Sequence, residues 1–120
     1  MDINKEQLFE NKLVLSVVGK KKYLSKLVGK MIKILYLIEE EKETGNTPEH
    51  YIYGQLIEMN SANQLFDGEL TDLIVKLNYV YGNYDKVKFK EIKRQIFEIN
   101  SSINHLLKAL AEEGEDGEDN

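Results

Sequence analysis

The side chains in this chain with chemistry to offer are two histidines, a run of lysines and seven tyrosines. A di-metal centre in a helical bundle needs Glu-x-x-His motifs on facing helices. Here Thr47 and Ser102 stand three residues before His50 and His105, so that motif is missing. Glu91, Glu98 and His105 recur at intervals of seven and share one side of a helix, which is also what the hydrated flank of a heptad gives. His50, beside Glu49, reads as a surface position at a helix start. Gly19-Lys20 and Gly29-Lys30 suggest a phosphate loop, but the glycines are ten apart and Met31 follows Lys30 where Ser or Thr is required. There is no cysteine, which excludes disulfides, thiolate metal sites and a cysteine nucleophile. No G-x-S-x-G elbow occurs, and Asn100-Ser101-Ser102 has meaning as a glycan acceptor only in a secreted chain. The expectation is a protein that is not an enzyme, with no cofactor and no metal.

Surface recognition is what is left. Lys20, Lys21, Lys22, Lys26, Lys30 and Lys33 form a run with no acid among them, and Lys22, Lys26, Lys30 and Lys33 fall in one arc of a helical wheel. Such a stripe suits a phosphate backbone, though lysines also simply solvate amphipathic helices. A single arginine argues against base-specific readout. A second basic cluster, Lys86, Lys88, Lys90, Lys93 and Arg94, is interrupted by Glu91 and reads as solvation. Tyr51, Tyr53, Tyr79, Tyr81 and Tyr84 concentrate between positions 51 and 84. Tyrosine brings contact area and a hydrogen bond at low entropic cost, so these five form the candidate partner surface.

These residues need elements to hold them, and the apolar spacing supplies helices. Phe89, Ile92, Ile96, Ile99, Ile103, Leu106 and Leu110 alternate three and four apart, which predicts a helix over about Val87–Glu113. Leu24, Val28, Met31, Leu35 and Ile38 predict another over Lys20–Glu43, with Gly29 permitting a close helix approach. Phe66, Leu70, Leu73, Leu77, Val80 and Tyr84 predict one over Gly68–Tyr81. Ile52, Leu56 and Met59 mark a shorter helix with Thr47 as N-cap and Pro48 in its first position. Thr44-Gly45-Asn46, Asp67-Gly68 and Gly82-Asn83 punctuate them, the last with left-handed residues. Residues 3–19 read as a further helix with Leu8, Phe9, Leu13 and Val17 inward, stopped or kinked at Gly19, or as a short strand over Lys12–Val18.

The fold class that follows is all-α: an antiparallel up-down bundle of four main helices, with a short extra N-terminal helix or strand and a disordered acidic C-terminal tail. At 120 residues this is one domain, read as 1–111, with 112–120 as the tail. Six of the 21 acids lie in that tail; the remaining 15 face 16 Lys and Arg, so the rest of the chain is near neutral. No signal segment or stretch of membrane-spanning length is visible, which points to a cytoplasmic protein that does not enter a membrane. The last helix outreaches shorter partners, so its end near Ile103, Leu106 and Leu110 is expected to need cover, and a homodimer is one way to supply it. The layout is similar to tail-assembly chaperones of siphophages and to the small helical subunits of type III CRISPR complexes, without a motif that ties either family to individual residues. Lysine-rich, arginine-poor composition suits an AT-rich bacterial or phage genome. The expected function is a non-catalytic protein-binding module, namely a helical adaptor, assembly chaperone or inhibitor. The alternative is a nucleic-acid-associated subunit using Lys22, Lys26, Lys30 and Lys33.

Overall fold

The computed structural model describes residues 16–118. Four helices follow in order: α1 (Val17–Thr44), α2 (Glu49–Asn63), α3 (Thr71–Asn83) and α4 (Phe89–Glu118), with no strand among the described residues. Helix or strand over residues 3–15 is a question that lies outside the described residues. At 1.5 Å per residue α1 and α4 are each over 40 Å long, about twice α2 and α3.

Local signals set most of the boundaries. Ser16 caps α1 by accepting the Gly19 N–H at 3.1 Å. Gly19 therefore sits inside the first turn of α1 instead of stopping a preceding segment, and α1 starts three residues before the Lys20 expected from the apolar stripe. Gly45 ends α1 in the left-handed conformation (φ 77°), its N–H returning to Glu41 O at 2.8 Å. Thr47 Oγ1 accepts the Glu49 N–H at 3.2 Å, and Pro48, with helical dihedrals, holds the cap position, so α2 starts at Glu49, one residue later than the sequence signals.

Two punctuation marks act differently from expectation. Gly68 (φ 83°) closes the turn after α2 instead of opening α3, donating its N–H to Asn63 O at 2.9 Å. Asn63 holds the rest of that turn: its Oδ1 accepts the Leu70 N–H at 2.8 Å and its Nδ2 donates to Thr71 Oγ1 at 3.0 Å. Phe66, expected on the third helix, lies in this turn and is buried against Tyr23, ring centroids 5.4 Å apart. Gly82-Asn83 does not turn left-handed, because Asn83 Nδ2 bonds Tyr79 O at 2.8 Å and α3 simply continues through it. At the other end α4 carries helical backbone to Glu118, past the Glu113 expected and across much of the segment read as a disordered tail. No proline interrupts it, and extending an existing helix costs far less than starting one.

The apolar stripes meet in one core. Leu24, Leu27, Met31 and Ile34 of α1, Ile52, Leu56 and Met59 of α2, Leu73, Ile74, Leu77 and Val80 of α3, and Ile92, Ile96, Ile99 and Ile103 of α4 are all buried in it. The closest backbone approaches are α1 on α4, α4 on α3, and α3 on α2. Helices α1 and α2 meet mainly through longer side chains, Lys30 to Glu58 at 3.4 Å and Lys33 over the Tyr51 ring at 5.0 Å, while Tyr23 of α1 packs on Phe66 in the turn beyond α2. Because α1 matches α4 in length, the far end of the α4 seam finds cover within the chain: Ile103 and Leu110 are buried, Leu106 and Leu107 partly so. Gly29 is exposed and a Cβ there would meet nothing within 4 Å, so it serves no close approach inside the bundle.

Candidate functional site

The five tyrosines do not form one surface. Tyr53 of α2 and Tyr81 of α3 lie together across the helix pair, ring centroids 5.7 Å apart, and Tyr81 Oη donates to Glu49 Oε1 at 3.4 Å. Tyr84 Oη and Thr47 Oγ1 share a hydrogen bond of 2.6 Å at the same end. Lost hydration, and then the neighbouring Glu49 carboxylate, raise the Tyr81 phenol above its ordinary pKa. Tyr51 turns the other way, under Lys33 of α1, where burial and then Glu58 raise its pKa. Tyr79 faces α4 and lies near Arg94, whose charge is held chiefly by the Glu91 hydrogen bond. Tyr53, Tyr81 and Tyr84 are thus brought together, with Tyr51 and Tyr79 on the two flanks.

Beside this cluster is a feature that the apolar stripes hide. Ile57 is 52% exposed and Val75 62%, both on the outward sides of α2 and α3, in line with Tyr53 at 51%. Four carboxylate or ammonium groups belong to these two helices, and each is engaged at an edge. Glu58 reaches Lys30 of α1, Glu49 receives Tyr81, and Asp72 pairs with Lys76 at 3.1 Å. Lys76 also reaches Ser102 of α4 at 3.5 Å. The strip between them carries Tyr53, Gly54, Ile57, Val75 and Gly82, and a Cβ at either glycine would meet nothing within 4 Å. Depletion of charge with enrichment in tyrosine and aliphatic residues marks the centre of protein interfaces.

No family model, curated protein or solved structure matches this chain. The residues themselves carry the argument.

The lysine stripe is only partly free. Lys22, Lys26 and Lys33 are exposed, while Lys30 is half-buried and paired with Glu58. Among the described residues no group of three or more His, Asp or Glu side chains is gathered as for a metal ion. Glu91 and Glu98, spaced seven apart with His105, instead bracket Arg94 at 2.5 and 2.8 Å. The Arg94 hydrogen bond is also the main reason the Glu91 carboxyl lies below its ordinary range. Both histidines are exposed. A concavity of about 540 Å³ spreads over the outward face of α4 and the residue before it, along Lys88, Lys90, Arg94, Phe97 and Ser101. A narrower one of about 260 Å³ runs between α1 and α4, floored by Ile32, Leu35 and Phe89 and edged by Tyr36 and Phe97. Ile57, Val75, Tyr36 and Phe97 are, with Val18, the exposed apolar residues the sequence reading passed over. Low charge density across 49–83 was the available signal for the first two.

Proposed function

We propose that the protein is a non-catalytic binding module that docks a partner protein on the outward face of α2 and α3. The observation that supports this most is the uncharged strip of Tyr53, Ile57 and Val75, three side chains each more than half exposed, closed at one end by the Tyr53–Tyr81 pair. Two helices about 20 Å long and about 10 Å apart present roughly 400 Å² on one side. That is about half of one partner's share of a standard interface, so the contact is transient unless the partner reaches past the pair. Ile57→Asp and Val75→Asp place a charge on this strip without touching the core. The wild-type chain is expected to retain a partner in affinity capture from its native host, and each variant to lose it while melting like wild type. Equal capture by all three would refute the assignment.

A second reading keeps some support: Lys22, Lys26 and Lys33 are exposed along one helix and could follow a phosphate backbone. The same side of α1 turns acidic at Glu39, Glu40 and Glu43, which weighs against an extended polyanion lying along it. A gel shift that vanishes with rising salt would favour this reading.

A further inference from the structure

Helix α1 has its charges the wrong way round for an isolated helix. From Val17 to Ile38 its charged residues are all lysine, while Glu39, Glu40, Glu41 and Glu43, with Lys42 among them, crowd its last turns. A helix dipole favours acids at the N-terminus and bases at the C-terminus, and the first turn of α1 has no acid. Lys20 and Lys30 are paired within the chain, to Glu69 and Glu58. Lys22, Lys26, Glu40 and Glu43 are exposed and lie within ion-pair distance of no opposite charge among the described residues. The distribution calls for something outside the helix.

The outward row of α1 reads Lys22, Gly29, Tyr36, Glu43, each seven residues from the next. Tyr36 is 63% exposed, and the space over Gly29 is empty. This row is its own complement when reversed. An antiparallel overlay centred between Ile32 and Lys33 sets Lys22 opposite Glu43, and Gly29, with its open space, opposite the Tyr36 ring. The adjoining row follows: Lys26 falls opposite Glu39 and beside Glu40, and Ser25 opposite Glu40. We propose that the outward face of α1 pairs antiparallel with the same face of a second copy, forming a two-fold dimer.

Each feature that is anomalous in the monomer is answered in this arrangement. The acidic C-terminal half meets the lysine-bearing half of the other copy, and each macrodipole lies against its reverse. The exposed tyrosine fills the gap left by the glycine, and two-fold symmetry makes every contact twice. The neighbouring groove with Tyr36 and Phe97 at its edges extends the buried area onto α4. A strip about 42 Å by 15 Å is roughly 600 Å² per copy, at the lower end for a specific interface, so association is reversible. The α2–α3 face lies elsewhere on the bundle and stays open, so this proposal and the preceding one fail separately.

Sedimentation equilibrium at low salt, from micromolar to millimolar full-length protein, is the test. Wild type is expected to pass from monomer to dimer and to weaken as salt rises. Lys22→Glu alone and Glu43→Lys alone each replace two symmetric attractions with two repulsions and are expected to weaken the dimer about tenfold. The double variant Lys22→Glu/Glu43→Lys restores both pairs and is expected to recover wild-type association. Circular dichroism confirms that each variant is folded, since both changes improve the monomer helix dipole. A wild-type protein that stays monomeric throughout, or a double variant no better than the singles, overturns the proposal. So does a monomer that instead retards a single-stranded oligonucleotide in a salt-sensitive way, which would hand this face to phosphate contact.

Discussion

Ile99 sits at the middle of the α4 seam with 0% of its surface exposed, whereas Phe97, two positions earlier on the same helix, is 51% exposed. Replacing Ile99 by alanine removes three fully buried carbons. At about 0.8 kcal/mol per buried methylene the transfer loss alone is roughly 2.4 kcal/mol. The unfilled cavity between α4 and its neighbours brings the cost to about 3–4 kcal/mol, within the range for such truncations. A domain of this size is stable by roughly 5–15 kcal/mol, so a large part of that margin goes. The melting temperature is expected to fall by roughly 10–20 °C. Urea unfolding followed at 222 nm should show a lower midpoint with an unchanged slope. Ile99→Asp should abolish the cooperative transition, because a lone carboxylate cannot be carried in that core. Phe97→Ala, the control on the same helix, should stay within about 0.5 kcal/mol of wild type. If the Ile99→Ala and Phe97→Ala midpoints coincide, the seam is not buried and the four-helix core is wrong.

Other consequences can be checked with the same apparatus. Asn63→Ala strips two hydrogen bonds from the α2–α3 turn and is expected to cost about 1–3 kcal/mol in urea titration, with Asn63→Asp recovering part of it through Leu70 N–H. Gly54→Ala adds a methyl into open space on a helix interior and is expected to stabilise by roughly 0.5–1 kcal/mol, seen as a higher midpoint. Tyr23, partly buried against Phe66, has its pKa pushed up to about 12, by burial first and then by Glu58. A raised folded pKa means its contribution is complete below pH 10 and is lost as pH climbs through 12. Tyr23→Phe should therefore lose less stability than wild type over that interval, and equal losses would rule out the burial of the phenol. Glu91, with its pKa lowered chiefly by the Arg94 hydrogen bond, acts in the opposite direction: its contribution is complete above the ordinary carboxylate pKa and fades as pH falls through the depressed value. Glu91→Gln should flatten the acid limb of the stability curve.

The helices were legible because burial writes a period into sequence. The unbroken three–four spacing from Phe89 to Leu110 could be read directly, and so could the Thr47-Pro48 start and the Gly45 stop. Phe66 shows the limit: four residues before Leu70, it fits the next stripe by number, yet belongs to the turn beneath it. Ser16 was passed over because a cap is one residue with no periodicity around it. Which way Tyr51 and Tyr79 face was not readable at all, since that depends on α1 and α4 lying on either side of the α2–α3 pair. Ile57 and Val75 lie off the stripes, and a search for cores discards them for that reason. Gly29 looked like a packing residue because glycine between apolar neighbours usually is, and only the wheel position relative to α4 puts it outside.

The pairing of α1 with α4 has a consequence during synthesis. The backbone neighbour that shelters the apolar edge of α1 is encoded some 50 residues downstream of its last turn. Helices α2 and α3 can fold on each other as soon as both have left the ribosome, but α1 must wait for the segment after Phe89. At roughly 5–20 residues per second that delay lasts several seconds. Throughout it Leu24, Met31 and Leu35 remain available to any passing hydrophobic surface, so the newborn chain is most vulnerable to aggregation, and most in need of a holding factor, just before its last helix emerges.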